Sequence, residues 1–148
     1  YRYCRVIVGS GWQLAFVLEL DKLKAVYRKT QVKPDGHWQD ISAENSWHIS
    51  LLPQAFAEYA EKPVDLSRVT GMLLIHDVVE IDAGDMFAFA ESDALSQQRE
   101  KEQQAADRLF GFLPSGQRAS LKTLWQEFEQ SQPVPGSPRS WIACCRYF

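Results

Sequence analysis

The chain has 148 residues, of which 45% are hydrophobic and 24% charged, and its formal net charge is −3. Those totals fit a single soluble globular domain with room for a proper core. With no basic run or patch, they argue against an extended nucleic-acid or anionic-membrane surface, while leaving a small phosphorylated ligand open.

No apolar run reaches the length of a membrane span, and no signal peptide is recognisable. The chain opens on Tyr1 rather than Met, which leaves a preceding targeting segment open. Cys4, Cys144 and Cys145 lie towards the two ends and form no disulfide framework, so a reducing, cytoplasmic setting is expected.

In chain order, residues 1–12 read as a peripheral segment, β-prone at first and closing on Gly-Ser-Gly. From Gln13 the pattern turns helical: Leu14, Val17, Leu18, Leu20, Leu23, Val26 and Tyr27 form a stripe that ends near Arg28-Lys29. Residues 31–41, with Pro34-Asp35-Gly36, read as a loop with a turn. A second helix is expected from Ser42, a good N-cap with Glu44 in the first turn, to about Glu61, with Pro53 as a kink point. After the break at Lys62-Pro63-Val64-Asp65, a third helix is expected from about Leu66 to Ile81, ended by Ala83-Gly84.

Residues 86–93 read as a partly aromatic loop, after which Ser92 or Asp93 caps a fourth helix that is charged first and apolar at Ala105, Leu109 and Phe110. Leu121, Leu124, Trp125 and Phe128 mark a fifth helix, fading by Ser131. There is no alternating strand pattern after residue 10 and no internal repeat. The expected fold class is all-α: a bundle of about five helices over residues 13–131.

Within it, Leu74 to Asp85 places an imidazole and four carboxylates in what otherwise reads as a buried helix, although burying unpaired charge is costly. On one helix, His76 and Glu80 are four apart and share a face, and Asp77 sits three before Glu80. Imidazole and carboxylate suit a divalent ion such as Mn, Fe, Co, Ni or Zn, and a nearby Glu can orient the water that such an ion acidifies. From residue types alone, a helix-end histidine with solvated acids capping the loop stands beside that reading.

The wider pattern tips the balance. Ser42-Ala43-Glu44-Asn45-Ser46-Trp47-His48, then Leu74-Ile75-His76-Asp77-Val78-Val79-Glu80, then Ala83-Gly84-Asp85, resembles the HD-domain metal-dependent phosphohydrolases, and among them the branch that includes the 5'-deoxynucleotidases. Leu20-Asp21-Lys22-Leu23-Lys24 with Tyr27-Arg28-Lys29-Thr30 upstream, and Ala105-Ala106-Asp107-Arg108-Leu109-Phe110 downstream, fit the same branch. The resemblance implies a helical bundle holding a divalent ion, Mn, Co or similar, and acting on a small nucleotide substrate. His76 and Asp77 match its central metal ligands, Glu80 the acid/base residue serving the attacking water, and Asp85 a pocket carboxylate near the substrate sugar. Arg28 matches a phosphate-binding arginine, a role suited to its fork of donors. Its alternative is a solvated cation at a helix end.

Two departures matter. Where the family carries its first metal-binding His, this chain has Asn45, whose amide oxygen is a neutral and weaker ligand. His48, one turn later, is a substitute only if a shift of ~5 Å is absorbed; relatives often carry a second, non-ligating His there. The other departure is the tail, residues 132–148, where relatives have a last helix with a ligand Asp followed by Arg-Leu.

Reading the codons of this tail from their third bases is informative. Trp is TGG and every Ile codon begins AT, so Trp141-Ile142 yields GAT, an Asp. Ile142-Ala143 allows Arg and Cys144-Cys145 yields Leu, while Ser140-Trp141 and Ala143-Cys144 allow only Leu, Met or Val. The shifted frame thus spells the missing helix, and a frameshift after Glu129 is expected; a divergent tail with a chance match is the other explanation.

Two functions follow. The first is a 5'-nucleotidase releasing phosphate from deoxynucleoside 5'-monophosphates by metal-activated water. The second is a catalytically impaired HD-fold protein, with weak metal binding, that retains only nucleotide or partner binding. A purely structural helical adaptor is a third reading. Loss of the terminal helix would expose an apolar groove and invite homo-oligomers.

Overall fold

In a computed structural model, residues 11–31, 39–60, 63–86 and 92–130 are described. Residues 1–10 of the segment expected to be peripheral (1–12) and the tail expected to be frameshifted (132–148) therefore lie outside the described residues, as do positions 87–90 of the partly aromatic loop. Residues 11 and 12 belong to the first helix.

The elements run α1 (Gly11–Leu20), a 3-10 stretch (Asp21–Ala25), β1 (Tyr27–Gln31), β2 (Gln39–Ile41), α2 (Ser42–Phe56), a 3-10 turn (Ala57–Tyr59), α3 (Leu66–Ile75), a 3-10 turn (His76–Val79), the single-turn α4 (Glu80–Ala83), α5 (Ser92–Gly111) and α6 (Ser115–Glu129). Five of these helices have ten residues or more, as an all-α bundle requires. No helix among the described residues is long and apolar enough to cross a membrane.

Three expectations are corrected. The first helix does not reach Arg28-Lys29. It ends at Leu20, tightens into the 3-10 stretch, and passes through extended Val26 into β1. β1 pairs antiparallel with β2, Tyr27 opposite Ile41 and Gln31 opposite Gln39. α1 is apolar almost all round, with Leu14, Val17 and Leu18 exposed, so its periodicity carries no stop signal. Arg28 accordingly sits on a strand and not at a helix end.

The second correction is at Ser42, which is the first helical residue of α2 and not its cap. Ile41 occupies the N-cap position, and the Ile41 N–H donates to Glu44 Oε2 at 3.2 Å. α2 itself stops at Phe56, three residues past the buried Pro53, whose ring removes a helical N–H.

The third is the largest for function. α3 starts as expected, capped by Asp65, which accepts from the Arg68 N–H at 3.0 Å, but it breaks at Ile75 into the 3-10 turn. In a 3-10 helix residues three apart eclipse one another, whereas residues four apart diverge by about 120°. Asp77 and Glu80 therefore line up, and the shared face expected for His76 and Glu80 is lost.

Two apolar clusters flank that turn. Ala106, Leu109, Phe110 and Trp125 of α5 and α6 enclose Val78 and Val79 on one side. On the other, Ile49, Met72, Leu73 and Phe128 join α2, α3 and α6. The chemistry-bearing turn is the seam between them.

Candidate active site

The site is built on the 3-10 turn and closed by α2 and β1. His76 opens the turn. Its Nδ1 lies 2.9 Å from the Leu73 carbonyl oxygen, and its ring packs on Phe128 with centroids 4.6 Å apart. That fixes the ring so that Nε2 meets Asp77 Oδ1 at 2.7 Å. With Nδ1 against a carbonyl, Nε2 and the carboxylate oxygen face each other at hydrogen-bonding distance, and both are atom types that ligate divalent ions.

Asp77 is 7% exposed. Its Oδ2 accepts from the Ser46 hydroxyl at 2.9 Å, with the Asn45 amide nitrogen 3.5 Å away. Burial by itself would raise its pKa, but adjacent His76, then Ser46, then the charge of Arg28, outweigh it and hold the carboxyl below the ordinary range. Glu80 goes the other way. Burial first, and then the charge of Asp77, push it up to about 8, against the Ser42 hydroxyl that donates to Oε2 at 2.5 Å. A carboxyl poised near neutrality can take and return a proton.

The two serines are four apart on α2, which matches the three-residue eclipse of Asp77 and Glu80 across from them. Ser42 is completely buried and Ser46 nearly so. Neither stands out in the sequence as a functional residue, because serine at a helix start reads as a cap. The signal was their spacing against two acids.

Asp85 follows Gly84, whose φ of 72° makes the turn out of α4. Its Oδ2 accepts from the Lys29 N–H at 2.5 Å, which ties the turn to β1. Arg28, next on β1, is half-buried, and its positive charge bears on Asp77, Glu80 and Asp40. So the fold gathers His76, Asp77, Glu80, Asp85, Arg28 and Asn45 in one region. His48 is exposed on α2 whereas Asn45 is buried, so the two do not share an environment.

For a divalent ion the fit is partial. His76 and Asp77 converge as two ligands of the right chemistry. Asn45 adds a neutral amide, and among the described residues no three His, Cys, Asp or Glu side chains are placed so that they could hold one metal ion together. The region near residue 141, where the shifted frame places an Asp, lies outside them.

A family model for the HD domain matches residues 20–134. The crystal structure of a "predicted metal-dependent phosphohydrolase" from Magnetospirillum magnetotacticum MS-1 is similar, with 44% sequence identity and a TM-score of 0.76 over 88% of this chain. This chain spans 62% of the length of that protein. No curated protein matches the chain.

Proposed function

This chain belongs to the HD-domain family, and from that premise we propose that it is a metal-dependent phosphohydrolase acting on deoxynucleoside 5'-monophosphates. The observation that carries the reading is the pair of neighbouring carboxylates, Asp77 on the 3-10 turn and Glu80 at the start of α4, one held low and one pushed up to about 8, with the charge of Arg28 acting on both. The similar protein from Magnetospirillum points to the same reaction class. The deoxynucleotide assignment rests on the sequence resemblance and on the placement of Arg28 and Asp85.

A divalent ion bound at His76 Nε2 and Asp77 Oδ1 would acidify water and polarise a phosphoryl oxygen. Arg28 is assigned to the substrate phosphate, for which a planar guanidinium supplies paired donors. Glu80 takes a proton from the attacking water and returns one to the departing sugar oxygen, and the Ser42 hydroxyl holds its carboxyl in place. Asp85, anchored through Oδ2 by the Lys29 N–H, offers its second oxygen to a sugar hydroxyl.

Phosphate release from a panel of deoxy- and ribonucleoside 5'-monophosphates, with added Mn or Co, tests this. Preference for deoxynucleotides by about tenfold or more supports it. Equal rates across the panel would overturn the substrate assignment.

One observation favours a second reading, an impaired enzyme that still binds nucleotide. Asn45 is buried, with its amide nitrogen toward Asp77, where relatives present an imidazole. Assays before and after Asn45→His, with the tail restored to the shifted frame, separate the two. Turnover only after repair would assign the loss to this polypeptide, and no metal uptake or turnover by the repaired protein would sink the enzymatic reading of the lineage.

A further inference from the structure

Arg108 belongs to the Ala105–Phe110 run that fits the family pattern, yet the proposed reaction gives that run no task. Its surroundings do. α4 has four residues, too few to hold a helical turn by themselves. Glu80 begins it and Asp85 lies just beyond its end.

Arg108 grips this turn from α5. Its Nε donates to Asp82 Oδ2 at 2.5 Å and its Nη2 to Asp82 Oδ1 at 2.7 Å, a bidentate fork. The same Nη2 donates to Glu19 Oε2 at 2.9 Å, near the end of α1. The Phe112 ring lies 5.8 Å from the guanidinium carbon and limits where the group can swing.

Glu19 stands at the entry to the 3-10 stretch that leads into β1, and β1 bears Arg28. One guanidinium therefore ties the segment that carries Arg28 to the turn that carries Glu80. The Lys29 N–H bond to Asp85 joins the same two segments from the other side. Gln98, also on α5, donates to the Gly84 carbonyl at 2.9 Å and steadies the exit of the turn.

We infer that Arg108 is a positioning residue that sets the separation between the phosphate-holding Arg28 and the proton-handling Glu80. The inference rests on the phosphohydrolase reading above. The fork is needed because a lysine, a point charge on a flexible stem, cannot reach two carboxylates on two segments with fixed geometry. The Arg108 and Asp82 side chains remain 42% and 34% exposed and Glu19 17%, and ion pairs that solvent reaches add little to global stability. Loss of Arg108 should therefore appear in local order and turnover more than in Tm.

The test uses the full chain with Arg108→Ala, Arg108→Lys and Asp82→Asn. Arg68→Ala is the control, since it removes a pair with Glu127 that joins α3 and α6 away from this clamp. In Arg108→Ala, amide exchange at Lys29 and Gly84 should accelerate together, by about tenfold, while α3 and α6 keep their protection. kcat for phosphate release should fall about tenfold or more, with KM moving less than about threefold, because the loss is one of alignment and not of binding. Arg108→Lys should recover a minor part, and Arg68→Ala should leave both readouts at wild-type values.

Wild-type exchange and kcat in Arg108→Ala would overturn the inference, as would a kcat loss that merely follows the folded fraction. Should Arg108→Ala not fold, Asp82→Asn gives the same readouts. If the wild-type protein releases no phosphate, the phosphohydrolase reading fails for this polypeptide, and exchange at the two amides alone decides whether Arg108 clamps the segments.

Discussion

Asp77 and Glu80 lie three residues apart across the junction of the 3-10 turn and α4, yet the fold pulls their protons in opposite directions. Asp77 has an imidazole, a hydroxyl and a guanidinium charge to favour its ionised form. Glu80 has burial and the neighbouring charge of Asp77 against it, with the Ser42 hydroxyl only partly compensating. Since the folded pKa of Glu80, about 8, lies above its ordinary 4.5, the folded chain binds an extra proton between those values. Stability from this group is complete below the lower value, falls as pH rises through the interval, and stays lost above it. Asp77 has the opposite sign, its contribution being present above the ordinary carboxyl range and lost as pH falls below it.

Urea unfolding across that interval should therefore show the wild-type protein losing on the order of 2 kcal/mol as Glu80 ionises in the unfolded chain but not in the folded one, after allowance for water access. Glu80→Gln should flatten the slope, and parallel pH profiles for the two proteins would contradict the assignment. At this scale the titratable residues were legible, because His, Asp and Glu on an apolar stretch have no folding purpose. Ser42 and Ser46 were not, since their task exists only once α2 lies against the turn. The same holds for the charge environment of Arg28, which chain reversal through β1 and β2 creates.

At the scale of elements, the decisive event is the change from α3 to a 3-10 turn at His76. An uninterrupted helix would have paired His76 with Glu80; the tighter turn pairs Asp77 with Glu80 and lets two serines four apart serve both. Apolar spacing did not reveal the change, because Val78 and Val79 remain buried in either geometry. α5 and α6 were legible as amphipathic runs. β1 and β2 were not, because five and three residues of mixed polarity acquire strand structure only from each other.

The exit of the turn depends on Gly84, at φ 72° and ψ 160°, a region that side chains avoid. A Cβ there meets nothing within 4 Å, so Gly84→Ala tests backbone strain without a clash. It should cost about 1–3 kcal/mol in chemical denaturation and lower kcat by displacing Asp85. Unchanged stability would show that the turn relaxes and that the anchoring of Asp85 is looser than described.

Across the whole molecule, the site occupies the seam between two apolar clusters. Val78 and Val79 are locked into one, and the His76 ring is packed on Phe128 of the other, so the turn that carries Asp77 is held from both sides. The HD-domain bundle was legible in the sequence as an ordered set of short motifs spread over the chain. The completeness of the metal site was legible only as a question, since Asn45 and the tail both depart from the pattern.

The central claim is that phosphate-ester hydrolysis depends on a cation held by His76 and Asp77. Its most direct test is the rate of phosphate release from a deoxynucleoside 5'-monophosphate with added Mn, compared with the rate after chelation and the rate of a folded Asp77→Asn variant. Both should fall at least about a hundredfold below the wild-type rate. Phosphate release that survives both would contradict the account.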